Sequence, residues 1–400
     1  MRVLLTTRGS SGHLGPLVPF ARACLAVGHE VLVAAQGRHR ANVERAGLPF
    51  ASLGDLRDED WMPLLADYAQ LDFEAANARM VGEFFGRLDT AATLPALRRL
   101  VADWAPDVIV RESWEYASVL VAELEGTPLA RVGLGLSALE ERSIGWAAPH
   151  LEPMRAELGL PPDPAGDRLR GLPYLTTVPA ELEDPGMPLP AVLHRFGNRP
   201  PDTPEPLPDW WPGNHDPLVY LTFGSVTAGE HLPYYPSLYR AAIEALAPLA
   251  VRVLVTVGDP RDLDALGPLP ANVHAERWVP QDAVAPRAAA IVCHGGHGST
   301  LGALARGVPL VVLPLFSVDQ FINGAAVSRA GAGVALDDER SRGGPLEPPG
   351  EAVLARLAPA VAEVLAHHGY RERARSIAGA MGSLPPVDTA VAILAAIGAD

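Results

Sequence analysis

The chain predicts an α/β protein made of two Rossmann-like parallel-sheet domains, and three observations carry that reading. Short apolar runs alternate with stretches of helical periodicity in both halves of the 400 residues. A stretch with seven prolines, Asn198–Pro217, stands between the two series. In each half an apolar run ends in a glycine-rich turn that opens a helix, Arg8–Gly15 in the first and His294–Thr300 in the second.

In the first half, Val3–Thr6 reads as a strand and Arg8–Gly15 as the turn. Pro16 suits the first position of a helix whose apolar residues Leu17, Phe20, Ala21, Cys24 and Leu25 recur at helical spacing. Gly28 closes that helix and Val31–Ala35 is the next strand; Val108–Val110 and Ala130–Leu134 continue the series. Strands alternating with helices imply a parallel sheet covered on both faces. Asp55–Leu100 and Glu140–Asp184 are less regular, the first carrying many aromatic residues and the second rich in proline. The proline-rich stretch can form neither a regular helix nor a central strand. After it, strands are expected at Leu218–Phe223, Arg252–Val257, Val273–Glu276, Ala289–Cys293 and Leu310–Leu313, with a helix over Tyr235–Ala247. The chain thus divides into a domain over 1–200, a linker over 201–216, a second domain over 217–382 and a C-terminal helix within 383–400 that can pack back on the first domain.

Composition narrows the function classes. Hydrophobic residues make up 48% and charged residues 20%, ordinary for a globular chain. A formal net charge of −15 argues against a nucleic-acid or anionic-membrane partner, since both need a basic face. No apolar run approaches the ~20 residues that span a bilayer. The start, Met1-Arg-Val-Leu-Leu, enters a strand without a small-residue cleavage site, so a cytoplasmic protein is expected. Cys24 and Cys293 sit in apolar stretches and read as buried thiols. Every cation counted as Lys+Arg is arginine, which removes Schiff-base lysine and P-loop chemistry together.

The segment with the most chemistry is the strand Ala289–Cys293 followed by His294-Gly-Gly-His-Gly-Ser-Thr300. Glycines let a ligand approach the backbone, and the free amides and positive end of the following helix favour an anion. His294, His297, Ser299 and Thr300 add side-chain donors, whereas the bland reading is a tight turn with its N-cap at Ser299. Gly224-Ser225 ends the first strand of the same half and can touch the same ligand. Trp278 offers an indole face to a base, or else packs in the core. In the first half His13 has the chemistry of a general base, and Glu112, just past Val108–Val110, can orient it, as in a triad. A loop histidine and a solvated acid are the plain alternatives. Asp262-Leu-Asp264 matches a D-x-D metal pattern but reads better as a turn and helix start, so no metal is expected.

These residues resemble the two-domain (GT-B) glycosyltransferases of family 1, and among them the actinobacterial enzymes that decorate antibiotics and related natural products. Arg8–Glu30 is similar to the family's acceptor-side motif; Trp278–Gln281, His294–Thr300 and Gly307–Gln320 are similar, in order, to its donor signature. The resemblance covers essentially the whole chain. It implies two parallel-sheet domains facing across a cleft, with His13 as the base that takes the acceptor's proton. Glu112 stands where the family usually has aspartate. The resemblance further places Trp278 on the base, Gln281 near the ribose, and Asp319 and Gln320 on the sugar hydroxyls. His294, Gly296, Gly298, Ser299, Thr300 and Ser225 would hold the diphosphate. Where relatives using uridine donors often carry a ribose-binding glutamate, this chain has Gly302, which favours a dTDP-sugar. The implied reaction is metal-independent, inverting transfer of a (deoxy)sugar to a hydroxyl of a hydrophobic aglycone, with no resident cofactor, by a monomer or homodimer. Trp61, Phe73, Phe84 and Trp146 are the expected acceptor-side residues, because apolar pockets bind such ligands. A UDP-sugar transferase acting on xenobiotics or macrolides, a nucleotide-sugar epimerase or hydrolase, and a non-catalytic auxiliary protein remain as alternatives. A nicotinamide dehydrogenase lacks its required glycine spacing.

Overall fold

The structure is a computed structural model that describes residues 1–66, 70–197, 205–224, 227, 234–258, 263–337 and 348–399. It divides into two compact units, Met1–Val178 with Glu183–Asn198 and Leu384–Asp400, and Pro179–Leu182 with Arg199–Ser383.

The first unit holds seven parallel strands: β1 (Arg2–Thr6), β2 (Glu30–Ala35), β3 (Phe50–Ser52), β4 (Val108–Glu112), β5 (Leu129–Val132), β6 (Tyr174–Thr176) and β7 (Leu193–Arg195). Their spatial order is β3-β2-β1-β4-β5-β6-β7. Residues of β1, β2, β4 and β5 are almost all buried, as continuous apolar strands in a doubly covered sheet must be. The terminal helix Ala390–Ile397 belongs to this unit and buries Ala390 and Leu394 in the cluster that holds Val3, Leu5, Phe20 and Val108.

The second unit holds β8 (Leu218–Thr222), β9 (Arg252–Thr256), β10 (Val273–Glu276), β11 (Ala290–Cys293), β12 (Leu310–Val312) and β13 (Gly333–Ala335), in the order β10-β9-β8-β11-β12-β13. Its core runs through Val219, Leu221, Val253, Val255, Val292 and Val311, with the helices Ser237–Leu246 and Leu357–Ala366 packed on it.

Both sheets are doubly wound, and in both the strand order reverses between the first strand and the fourth. Ligands in such sheets bind at the carboxyl ends of the strands flanking that reversal. In the first unit those ends belong to β1 and β4, and in the second to β8 and β11.

Two local features differ from the sequence expectation. The glycine-rich stretch after β1 is helical from Ser11: one turn over Ser11–Leu14, a 3-10 turn over Gly15–Leu17, then the helix Val18–Ala26. His13 therefore sits within a first helical turn rather than in a loop before it. Leu14 and Leu17 are buried there, and their burial outweighs the ~1 kcal/mol by which a glycine disfavours a helix. The aromatic-rich stretch contains an eleven-residue π-helix, Arg79–Asp89, packed against the long helix Ser137–Glu157.

Candidate active site

In the first unit the ends of β1 and β4 bring His13 and Glu112 together. His13 Nδ1 lies 2.9 Å from Glu112 Oε1. Glu112 is fully buried, the last residue of β4, so it is not a solvated loop acid. Its other oxygen accepts the Trp114 N–H at 2.6 Å, and the Arg8 N–H adds a longer contact of 3.3 Å to Oε1. Burial pushes the Glu112 carboxyl up, but the charge and hydrogen bond of His13, the Trp114 N–H and Arg111 outweigh it and hold the group below the usual carboxylate range. An ionised acceptor at Oε1 assigns the proton to His13 Nδ1 and leaves Nε2 as the basic nitrogen.

The loop after β4 is held from below. Arg111 is fully buried and donates to the Glu115 and Ser113 carbonyls at 2.6 and 2.5 Å. Glu115 accepts from Thr6 Oγ1 at 2.6 Å and from the Ser118 N–H at 3.1 Å, tying this loop to β1. The carboxylate that orients His13 is thus positioned by two buried charged residues that carry no signature in the sequence.

Aromatic rings lead away from the dyad. Trp61 meets Phe84, Phe84 meets Phe85, and Phe85 stacks on Trp114, each pair with centroids between 5.2 and 5.3 Å. The His13 ring contacts Trp114 at 5.5 Å and Phe85 edge-on at 6.0 Å. Trp61 and Phe84 therefore belong to a row that ends at His13. Trp146 is half-buried in the cluster that contains Phe84, Phe85 and Trp114. Phe73 is a correction: it is 3% exposed at the start of the helix Phe73–Ala78, a core position rather than a pocket wall. Trp114, fixed by Trp114 Nε1 donating to Ser143 Oγ at 2.8 Å, was not singled out by its sequence context.

In the second unit β11 runs into His294-Gly-Gly and then the helix His297–Ala305, whose N-cap is Gly296 rather than Ser299. The Thr300 N–H donates to Gly296 O at 3.0 Å, so the N–H groups of His297, Gly298 and Ser299 are the first-turn donors left without a partner among the described residues. Gly298 is exposed there. Thr300 is 2% exposed and its hydroxyl lies beside the buried Cys293 thiol, so its side chain faces the core and not the turn.

The His294 ring fills the gap between two glycines. A Cβ on Gly224 would come within 2.6 Å of Cε1, and one on Gly296 within 2.4 Å of Nε2. Its Nδ1 is buried with no hydrogen-bond partner among the described residues. Burial lowers both His294 and His297 to about 4, so at neutral pH each is a neutral donor and not a cation. Gly295 adopts a left-handed φ of +87°, and its carbonyl accepts Asn323 Nδ2 at 2.7 Å, a buried clamp that the sequence reading did not include.

Trp278 is 67% exposed, an indole plate open to a ligand. Gln281 Nε2 donates to Ser299 O at 3.0 Å and occupies the space beside Gly302, where a Cβ would lie 2.7 Å from it. Asp319 is half-buried in the first turn of the helix Val318–Arg329. Gln320 is a second inward residue: 3% exposed, with Oε1 accepting the Leu315 and Phe316 N–H groups at 2.8 and 3.1 Å. It shapes the loop rather than offering that oxygen outward. Ser225 and Asp262 lie outside the described residues, and Asp264 is in a short 3-10 turn, Leu263–Leu266. No helix among the described residues is long and apolar enough to cross a membrane.

Two doubly wound parallel sheets, each with a helix-opening glycine-rich segment at its point of reversal, place the chain in the GT-B glycosyltransferase fold class. The chain belongs to the erythromycin biosynthesis protein CIII-like family of natural-product glycosyltransferases: the N-terminal domain of that family matches residues 22–158 and its C-terminal domain residues 240–397. It is 31% identical to 4'-demethylrebeccamycin synthase of Lentzea aerocolonigenes, over 85% of this chain and 88% of that one. It is 32% identical to L-demethylnoviosyl transferase of Streptomyces niveus, over 84% and 85%. Among solved structures it is similar to the Streptomyces sp. SF2575 glycosyltransferase SsfS6 complexed with thymidine diphosphate, with 27% identity, a TM-score of 0.72, and 98% and 99% of the two chains covered.

Proposed function

We propose that this glycosyltransferase moves a deoxysugar from a dTDP-sugar to a hydroxyl of a hydrophobic natural-product aglycone, with inversion and without a metal. The observation that carries the reading is the His13–Glu112 contact of 2.9 Å at the reversal point of the first sheet. His13 Nε2 takes the proton as the acceptor oxygen attacks the anomeric carbon in line with the departing diphosphate. The C–O bond to the sugar forms as the sugar–phosphate bond breaks, and Glu112 stabilises the imidazolium. The unpaired amides of the helix His297–Ala305 and the neutral His294 receive the leaving charge.

The dTDP preference rests on Gly302 and its neighbour. Where a carboxylate would accept the hydroxyls of a ribose, the Gln281 amide lies over a bare glycine. A relative binds thymidine diphosphate. Two others bear the names of a demethylrebeccamycin synthase and a demethylnoviosyl transferase, which supports a natural-product acceptor.

The test is a mass-spectrometric assay of dTDP- and UDP-sugars against natural-product aglycones, with the anomeric configuration of the product read by NMR. Glycoside from dTDP-sugars with inverted configuration is expected. Free nucleotide without glycoside points to a hydrolase, an isomerised donor to an epimerase, and product from UDP-sugars alone to the uridine-type transferase. In the same assay, EDTA is expected to leave the rate unchanged; loss of activity restored by magnesium or manganese would refute the metal-independent mechanism. Trp278→Ala is expected to weaken dTDP binding about tenfold or more, the worth of one base–aromatic stack, measured by calorimetry.

A further inference from the structure

Arg8 lies beside the dyad, and the proposed reaction leaves its side chain without a role. Its backbone N–H and the His13 Nδ1–H share one acceptor, Glu112 Oε1. Its guanidinium lies on the face of Phe85, with Cζ 3.6 Å from the ring centroid and 4.8 Å from that of Phe84. His13 meets the same Phe85 ring edge-on. Arg8 Nε donates to Asp89 Oδ2 at 2.9 Å, and Asp89 Oδ1 accepts from Gln36 Nε2.

The π-helix explains why three residues converge on one guanidinium. Its i→i+5 hydrogen bonds widen the turn, and such turns are frequent at functional sites. Phe84 and Phe85 lie five and four residues before Asp89, the last residue of that helix, and all three touch Arg8. Gly82 and Gly86 let the wide helix press on its neighbour: a Cβ at Gly82 would sit 2.7 Å from the Trp146 carbonyl oxygen.

An arginine has five N–H donors. Here Nε is committed to Asp89, while the terminal nitrogens carry no hydrogen bond among the described residues and are not sealed from solvent. The Asp89 carboxylate balances the guanidinium's charge, so its terminal N–H groups are left to an electron-rich oxygen on the bound acceptor. Guanidinium forks recognise such oxygens through paired N–H donors, and the half-buried rings of Trp61, Phe84 and Trp114 supply apolar surface for a flat molecule.

We propose that Arg8 is an acceptor-recognition residue. It binds the carbonyl oxygen of a flat aromatic phenol in which that carbonyl stands next to the reacting hydroxyl, so that the hydroxyl is delivered to His13 Nε2. This rests on the reading of His13 as the base of a glycosyl transfer.

The probes are 1-hydroxy-2-acetonaphthone, which carries the carbonyl, and 1-hydroxy-2-isopropenylnaphthalene, which has the same shape without it. Binding to the wild-type protein is read by tryptophan fluorescence quenching, and transfer from a saturating dTDP-sugar by mass spectrometry. The wild type is expected to bind the ketone at least about tenfold more tightly, the worth of one charge-assisted hydrogen bond. Arg8→Gln is expected to abolish that preference, lowering kcat/KM for the ketone about tenfold or more and for its analogue less than about twofold. Arg8→Lys keeps the charge and the partner at Asp89 but loses the fork, and is expected to fall between the two. Equal binding of both probes by the wild type, or equal losses on both in a folded variant, would overturn the assignment. Selective binding of the ketone with no glycoside from any acceptor would instead sink the transferase reading and leave the Arg8 assignment standing.

Discussion

Replacing His13 with alanine is expected to lower kcat by roughly 10²–10⁴-fold, the range for loss of a positioned general base. Affinity for dTDP should stay native, because His13 and the donor turn are on different sheets. The structure narrows how this effect arises. Glu112 has no exposed surface, two backbone N–H contacts besides His13, and a carboxyl held below the usual range. It stays ionised at neutral pH and keeps the His13 proton on Nδ1, and in the proposed reaction it stabilises the cation formed when Nε2 takes the acceptor proton. Glu112→Gln should therefore reduce kcat with little change in donor KM. The sign with pH follows from the depressed pKa: the stability contributed by ionised Glu112 is present above its unfolded-state value and is lost as pH falls through the lower folded-state value. Steady-state kinetics of His13→Ala with dTDP calorimetry decide the matter, and near-native turnover would remove His13 from the mechanism.

The second large effect is expected from a single methyl group. Gly296→Ala places a Cβ 2.4 Å from His294 Nε2, in a ring that already lies close against Gly224, where a Cβ would come within 2.6 Å of Cε1. The backbone at Gly296, φ −61° and ψ 147°, suits any residue, so the penalty is steric and not conformational. Either the imidazole or the turn must move, and both carry the donors assigned to the diphosphate. Loss of one such donor is worth about 10²–10³-fold in kcat, so kcat/KM for the donor should fall about 100-fold while acceptor binding is unchanged. Native donor kinetics in this variant would show that His294 is not at the phosphate.

Much of the fold was legible because strand residues buried on both faces leave continuous apolar runs. β1, β2, β4, β5, β8, β9, β10, β11 and β12 all fall within a residue or two of the runs that suggest them. The strands β3, β6, β7 and β13 were not, since each has three residues and none is an all-aliphatic run like the Leu-Val-Val of β12. The first helix starts earlier than its glycines suggest, because Leu14 and Leu17 gain burial that no local pattern announces. The π-helix is likewise invisible in sequence: its wide turn is sustained by glycine contacts with a helix more than fifty residues away.

By itself the sequence determined the alternation of strands and helices, the helix-opening glycine-rich turns, the absence of lysine chemistry and the order Trp278, His294, Asp319 by which the chain resembles the family's donor signature. Each of these is a local pattern, and local patterns survive in one dimension. The tertiary structure decided which residues meet. His13 and Glu112 are 99 positions apart, Arg8 and Asp89 81 apart, and they come together because β1 and β4 are hydrogen-bonded neighbours and the π-helix returns to the same sheet edge. It also turned Thr300, Gln320 and Phe73 inward, each set by the face of a helix that lies against the core. Which strand lies beside which depends on packing across the whole sheet, and that is where the site's chemistry is assembled.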